Sequence, residues 1–307
     1  MDESQKNRSA LGRFWSVLNS SWSTWPPVGV LRTKSRFFDN VVETVLRYSR
    51  HNSGRNAAVL SFYGFLTLFP LFLVGTTVLG FVLEGRPDLR DDILSSAVSE
   101  IPILGSQIES QSGSLTGSSF AFISGLLLAL WGSTRAFNGL QTALDDAWEV
   151  PQNRRPNLVI RRLRSLLGVL LVGAAQVGTV ISVAAAQTAD LAFVEDILLL
   201  SGTLLVNSFV LGCMFKSLSS LSPRWLDIYE GALFGGLLFT VFQVFGTKVM
   251  TYIFSRAEPI YGAFASVFAI TAWLSIHATI SLFASEWNAH RFEKTSSSID
   301  ALKGPTL

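Results

Sequence analysis

An all-α, polytopic integral membrane protein is the fold class this chain predicts, and three observations predict it. Six long stretches carry no charged residue, the composition is apolar, and the charges that remain fall unevenly on alternate connections. The stretches are Ala57–Leu83, Ser110–Thr134, Ser165–Ala189, Ile197–Phe215, Gly231–Thr247 and Pro259–Ser285, each near or above the length a helix needs to cross roughly 30 Å of hydrocarbon. Hydrophobic residues make up 49 % of the chain and charged residues 15 %, with a mean hydropathy of +0.40. That is too apolar for an ordinary soluble domain of 307 residues. The net charge of only +2 argues against a nucleic-acid binder.

Six spans follow, at about 57–83, 117–142, 165–189, 197–215, 229–247 and 261–285, in one bundle with short amphipathic interfacial helices. With the N-terminus inside, 20 of the 24 Lys and Arg residues lie on the inner side. The positive-inside rule then puts both termini in the cytoplasm.

Residues 1–36 read as a polar, basic cytoplasmic arm, disordered or interfacial. Its uncharged run Phe14–Leu31 holds several Ser residues and the Pro26-Pro27 pair, which a lipid-spanning helix would bury at high cost. Its Trp15, Trp22 and Trp25 suit the headgroup layer. The membrane domain, 37–292, opens on Phe37–Arg50, where Phe38, Val41, Val42, Val45 and Leu46 share one helical face and Asp39, Asn40, Glu43, Arg47 and Arg50 the other. Such a helix suits the anionic cytoplasmic leaflet or the protein's own inner face.

In span one, Pro70 predicts a kink that frees the carbonyl of Leu66, a hinge position. The outer loop 84–117 carries Ile93, Leu94, Ala97, Val98 and Ile101 at helical spacing. Span two ends in an unusual way, because nine uncharged residues continue at helical spacing beyond Arg135. Counting at ~1.5 Å per residue from Ser118 puts Arg135 about 25 Å in, within the inner part of the membrane. An arginine there is costly unless it snorkels, pairs or faces water. It reads as an anion or phosphate-headgroup contact, or as a structural partner of Glu230 or Glu286. The following inner loop is basic, with Arg154, Arg155, Arg161, Arg162 and Arg164 flanking span three.

Span four holds the single cysteine, Cys213, so no internal disulfide exists. At the start of span five Glu230 reads as a cap on the positive helix end, and Gly231 and Gly235 form a small-residue pair for close helix packing. In the last span His277 sits near the midplane, nine residues before Glu286, as a core hydrogen-bonding histidine or a proton-sensitive one. Residues 293–307 read as a disordered cytoplasmic tail.

Four ordered motifs carry a resemblance: AAVLSFYGFLTLFPLFL (57–73), LWGSTRAFNGLQTALDDAW (130–148), WLDIYEGALFGGLLFTVFQ (225–243) and YGAFASVFAITAWLSIHATISLFASEWNA (261–289). Together they resemble the BrkB/YihY family of bacterial inner-membrane proteins, once labelled ribonuclease BN, over roughly Asn40–Phe292. The resemblance implies a six-span, multi-pass protein of the bacterial plasma membrane with cytoplasmic ends. The family's association with virulence and serum resistance names a phenotype and no chemistry. This chain departs from the pattern in its tryptophan-rich arm and in SEWN at 285–288.

An enzyme is not expected. Only His51, His277 and His290 are present, far apart in sequence and without HxE, HxH or CxxC spacing. No cofactor or metal is called for, and no glycine-rich phosphate loop exists. The expected function is a transporter or flippase for an amphiphilic or anionic solute, using a polar intramembrane cavity near Arg135, Glu230, His277 and Glu286. The alternative is a non-transporting envelope scaffold that binds partner proteins or anionic lipid. Expected partners are membrane lipid, anionic at the cytoplasmic leaflet, and a second copy or an envelope protein.

Overall fold

A computed structural model describes residues 30, 32–82, 119–168, 171, 192–221, 223–262 and 264–303. Every regular element among them is helical: α1 Arg36–Arg50, α2 Ser53–Val82, α3 Ser119–Ala147, α4 Ala192–Leu218, α5 Trp225–Tyr261 and α6 Phe264–Lys303, with a 3-10 turn at Gln152–Arg154 and a further helical segment over 158–168. Span three, the outer-loop helix and the tryptophan-rich run lie wholly or mostly outside the described residues.

Local chemistry accounts for the helix ends. Ser35 caps α1 by accepting from the Phe38 amide, with Asp39 in the first turn and Arg47 and Arg50 in the last, each charge placed to complement the helix dipole. α2 runs unbroken through Pro70. The α5–α6 turn passes through Gly262 at φ +54°, left-handed backbone that glycine adopts without steric cost.

Among the described residues three helices are long and apolar enough to cross a membrane, over Leu200–Leu218, Trp225–Ala257 and Phe264–Thr295. The expected spans at 57–83 and 117–142 coincide with α2 and α3 where these are described. The helices outrun the expected spans, most of all at two C-terminal ends. α5 continues well past 247 to Tyr261, and α6 past 285 to Lys303, so the expected tail is helical over 293–303. Charged residues end an apolar run without ending a helix, which explains the difference.

α6 is the hub, packing on α1, α2, α3 and α5, while α2 pairs with α3 and α4 with α5. Gly231 and Gly235 sit on the inner face of α5: a Cβ on Gly231 would collide with the Ala284 carbonyl and the Asn288 side chain, and one on Gly235 would crowd Ala284 and Leu211. Gly132 receives Thr67 of α2 in the same way. The apolar core gathers at one end of the bundle, from Leu140, Leu144 and Trp148 through Leu211, Phe215 and Leu218 to Ile228 and Leu282. Elsewhere the helices turn large apolar side chains outward, among them Leu127, Leu128, Leu205, Phe209, Phe245 and Phe268, a surface suited to lipid and rare on a soluble monomer.

The expectation for α1 is corrected in part. It packs on α6 and α2, and the residues it buries are Asn40, Val42, Thr44 and Arg47. Three of these are polar, because the surface they meet on α6 is polar as well.

Candidate functional site

The buried charge lies at the core end of the bundle and centres on Glu286, whose side chain is 1 % exposed. Four segments surround it. The turn between α1 and α2 brings His51, whose Nδ1 lies 2.9 and 3.0 Å from the two carboxylate oxygens. The first residue of α2, Ser53, donates its hydroxyl to Oε1 at 2.9 Å. From α1 comes Arg47, 5 % exposed, with Nε at 3.6 Å from Oε2. Arg47 also donates to Glu293 of α6 at 2.7 Å and to the Ala147 carbonyl at the end of α3 at 3.0 Å. Glu149, just after α3, closes the group at 3.6 Å from Arg47 and 3.5 Å from His51 Nε2.

A carboxylate in such a place is tolerated only when paired and hydrogen-bonded, and here it is both. The hydrogen bond to Glu286 holds the His51 imidazole above its ordinary pKa, against the opposing effect of partial burial, with Glu149 adding to the rise and Arg47 resisting it. Two non-glycine residues have left-handed backbone, Asn52 at φ 54° and Glu149 at φ 51°. Both flank this cluster. For Glu149 that conformation costs roughly 1–2 kcal/mol, and such outliers gather at sites whose geometry the surroundings enforce.

A second polar layer lies beside it. Asp145, buried at the end of α3, accepts from the Ser220 amide at 2.9 Å and its hydroxyl at 2.8 Å, tying α3 to the α4–α5 turn. Arg155 reaches Asp146 at 2.8 Å. Gln141 donates to Ser165 and to the Arg161 carbonyl, both at 2.9 Å. Asp145→Ala is expected to cost about 1–3 kcal/mol, since it removes two hydrogen bonds to a buried carboxylate and leaves the half-buried amide and hydroxyl of Ser220 without that acceptor; thermal unfolding in detergent would show it as a lowered midpoint.

The four residues expected to share a cavity are distributed. No hydrogen bond or ion pair joins any two of them among the described residues. Glu230 pairs with Arg291 and accepts from the Tyr229 hydroxyl at 3.1 Å. The helix-capping role expected of Glu230 falls to Asp227, which accepts from the Arg224 amide at 3.0 Å, because α5 begins at Trp225. His277 donates from Nδ1 to the Trp273 carbonyl at 2.9 Å, and its ring lies among Phe239, Phe242 and Trp273 at 5.0, 5.2 and 5.1 Å. Arg135 is exposed. Its guanidinium stands 5.7 Å from the Trp131 ring, and among the described residues it makes no ion pair.

Arg135 heads a stripe on α3 that continues through Asn138 and Thr142, three and seven residues on. Arg161 reaches this stripe from the helix over 158–168, donating to the Thr142 hydroxyl at 2.6 Å and the Asn138 carbonyl at 3.4 Å. Facing α2, Trp131 meets Tyr63 edge-on at 6.4 Å.

Sequence reasoning missed Arg47, His51, Glu149 and Glu293. One signal was present: Asn40, Thr44, Arg47 and His51 recur at helical spacing, a polar stripe that implies a polar partner.

The family model described as Virulence factor BrkB matches residues 44–303. An uncharacterized protein of Dickeya dadantii is 24 % identical over 81 % of this chain and 82 % of its own length. The inner membrane protein YhjD of Escherichia coli is 21 % identical over 81 % and 80 %, and the ribonuclease-like protein YfkH of Bacillus subtilis 22 % over 80 % and 93 %. No solved structure matches. The family match runs from the middle of α1, just before Arg47, to the end of α6 and so includes every residue of the buried cluster; the chain belongs to the BrkB family of membrane proteins.

Proposed function

We propose that this chain is a six-span, multi-pass protein of the bacterial plasma membrane, with both termini cytoplasmic, that transports an amphiphilic anion along the outer face of α3. One observation carries the reading. Arg135 stands exposed over Trp131, roughly ten residues or 15 Å inward from Asp145 at the core end. A cation at that depth, on a lipid-facing helix surface, attracts an anionic headgroup. Asn138, Thr142 and Arg161 extend a polar track from it toward the basic loop. An internal cavity through Glu230, His277 and Glu286 is not needed, since these are occupied by other partners. No catalytic step is assigned.

Orientation rests on the charge asymmetry of the connections, and the membrane assignment on the inner-membrane relative YhjD. The test is reconstitution of wild type and Arg135→Ala in liposomes with fluorescent anionic and zwitterionic lipid. Loss of one charge-assisted contact is expected to reduce anionic-lipid translocation by roughly tenfold, with folding retained. Equal translocation by the two proteins would sink the reading.

A non-transporting scaffold is the second reading, and the buried Arg47–Glu286 network favours it. Bound charges of that kind rigidify one end of the bundle into a fixed surface. Absence of translocation by wild type over a broad solute panel, with anionic lipid still retained, would select it.

A further inference from the structure

Beyond the lipid-facing stripe, and independent of it, the Glu149–His51–Glu286 array has the form of a proton pathway. We propose that it is a proton-binding site, in which His51 carries a proton between the solvent-facing Glu149 carboxylate and the buried Glu286 carboxylate. The geometry rests on both edges of one ring. Nδ1 touches the two oxygens of Glu286 at 2.9 and 3.0 Å, and Nε2 lies 3.5 Å from Glu149 Oε1, an ion-pair distance rather than a direct hydrogen bond. The two carboxylates differ sharply in access: the Glu149 side chain is 52 % exposed and that of Glu286 1 %. A purely structural pairing needs Nδ1 alone. Here the opposite edge of the ring faces a second carboxylate, held there by a residue in left-handed backbone.

The charged groups acting on the ring come from three elements: Arg47 on α1, Glu149 after α3 and Glu286 on α6. Ser53 at the start of α2 and Tyr48 on α1 act on Glu286, and Glu293 and His290 on α6 act with Arg47. Arg47 discourages a second positive charge, while Glu149 and Glu286 favour it. The balance keeps the imidazolium accessible, which is what a relay needs.

One uptake balances as follows. The neutral ring holds its proton on Nδ1, donated to Glu286. A proton from solvent lands on Glu149 and passes to Nε2, giving the imidazolium. The Nδ1 proton then moves to Glu286, leaving a neutral carboxylic acid and a neutral ring protonated on Nε2. The reverse sequence empties the site.

The experiment reads protonation itself, in purified full-length protein without any transport assay. The infrared carboxyl band of Glu286 is assigned by its loss in Glu286→Gln and followed after a pH jump between about pH 5 and about pH 9, a range that brackets histidine titration. In wild type the band is expected to change quickly, in step with the His51 ring-nitrogen NMR shifts. His51→Gln, which keeps a donor for Glu286 and cannot pass a proton through, is expected to slow the change by roughly a hundredfold. Glu149→Gln, an exposed change that leaves the fold intact, is expected to slow it by a smaller factor and keeps the test open if His51→Gln fails to fold. A band that never moves in wild type, or that moves at the wild-type rate in these variants, would overturn the proposal and leave the array a structural pair. Neither result bears on translocation by Arg135.

Discussion

Replacing Glu286 with alanine is expected to destabilise the protein by about 3–5 kcal/mol, the usual consequence of removing one partner from a buried ion pair. The loss comes less from the contacts deleted than from what stays behind. Arg47 is 5 % exposed and its Nε has no hydrogen-bond partner even in the native chain, so its nearest compensation there is the Glu286 carboxylate. His51 loses the acceptor for Nδ1, and Ser53 loses its acceptor as well. Glutamine preserves shape and one acceptor and should cost less. Thermal unfolding in detergent measures both variants, and an alanine variant that melts with the wild type would refute the argument. The same melts run against pH carry a second signature. His51 has a folded-state pKa above its unfolded value of 6.5. Its contribution is therefore complete below about pH 6.5 and is lost as the pH rises through the folded value. The gap between wild type and Glu286→Ala should narrow on the alkaline side.

Gly231→Val should be nearly as severe, for a steric reason. The first carbon of any side chain there meets the Ala284 carbonyl, which is backbone, and the Asn288 amide. The Gly231 amide also donates to Asn288 Oδ1 at 2.7 Å, so separating α5 from α6 would strand a buried asparagine. Overpacking alone costs about 1–3 kcal/mol, and the lost hydrogen bond adds about 1 kcal/mol. Gly54→Ala is the matched control: its new methyl meets the Tyr48 ring at an ordinary 3.7 Å. A lowered melting point for Gly231→Val with none for Gly54→Ala separates helix contact from a general effect of losing glycine. Equal melting of all three proteins would show that α5 and α6 yield freely.

Hydropathy made the helical class and the apolar segments legible, because lipid imposes continuous uncharged runs that stand out in sequence. The ends of α6 were not legible. Glu286, Arg291, Glu293 and Lys294 interrupt the apolar run while the backbone helix continues, and hydropathy cannot distinguish those two events. For the same reason Glu286 read as a boundary residue when α1 in fact covers it. Its partners could not be found by spacing, since His51 is separated from it by 235 residues. Arg135 was visible as a charge in the wrong place. What the sequence left open was its surroundings, where a ring of Trp131 stands in for the acidic partner expected from Glu230 or Glu286.

The position of α6 as the hub has a consequence for biogenesis. Membrane helices enter the bilayer in the order they are synthesised, and among the described helices this hub comes last in the chain. Until it emerges, Arg47 and His51 lack the Glu286 carboxylate, and α2 and α5 lack the neighbour on which both pack. A nascent chain halted before Glu286 therefore presents a recognisable defect to quality control, an arginine without its two α6 carboxylates, whereas synthesis of α6 removes that defect and supplies the shared contact of α1, α2, α3 and α5 in one step.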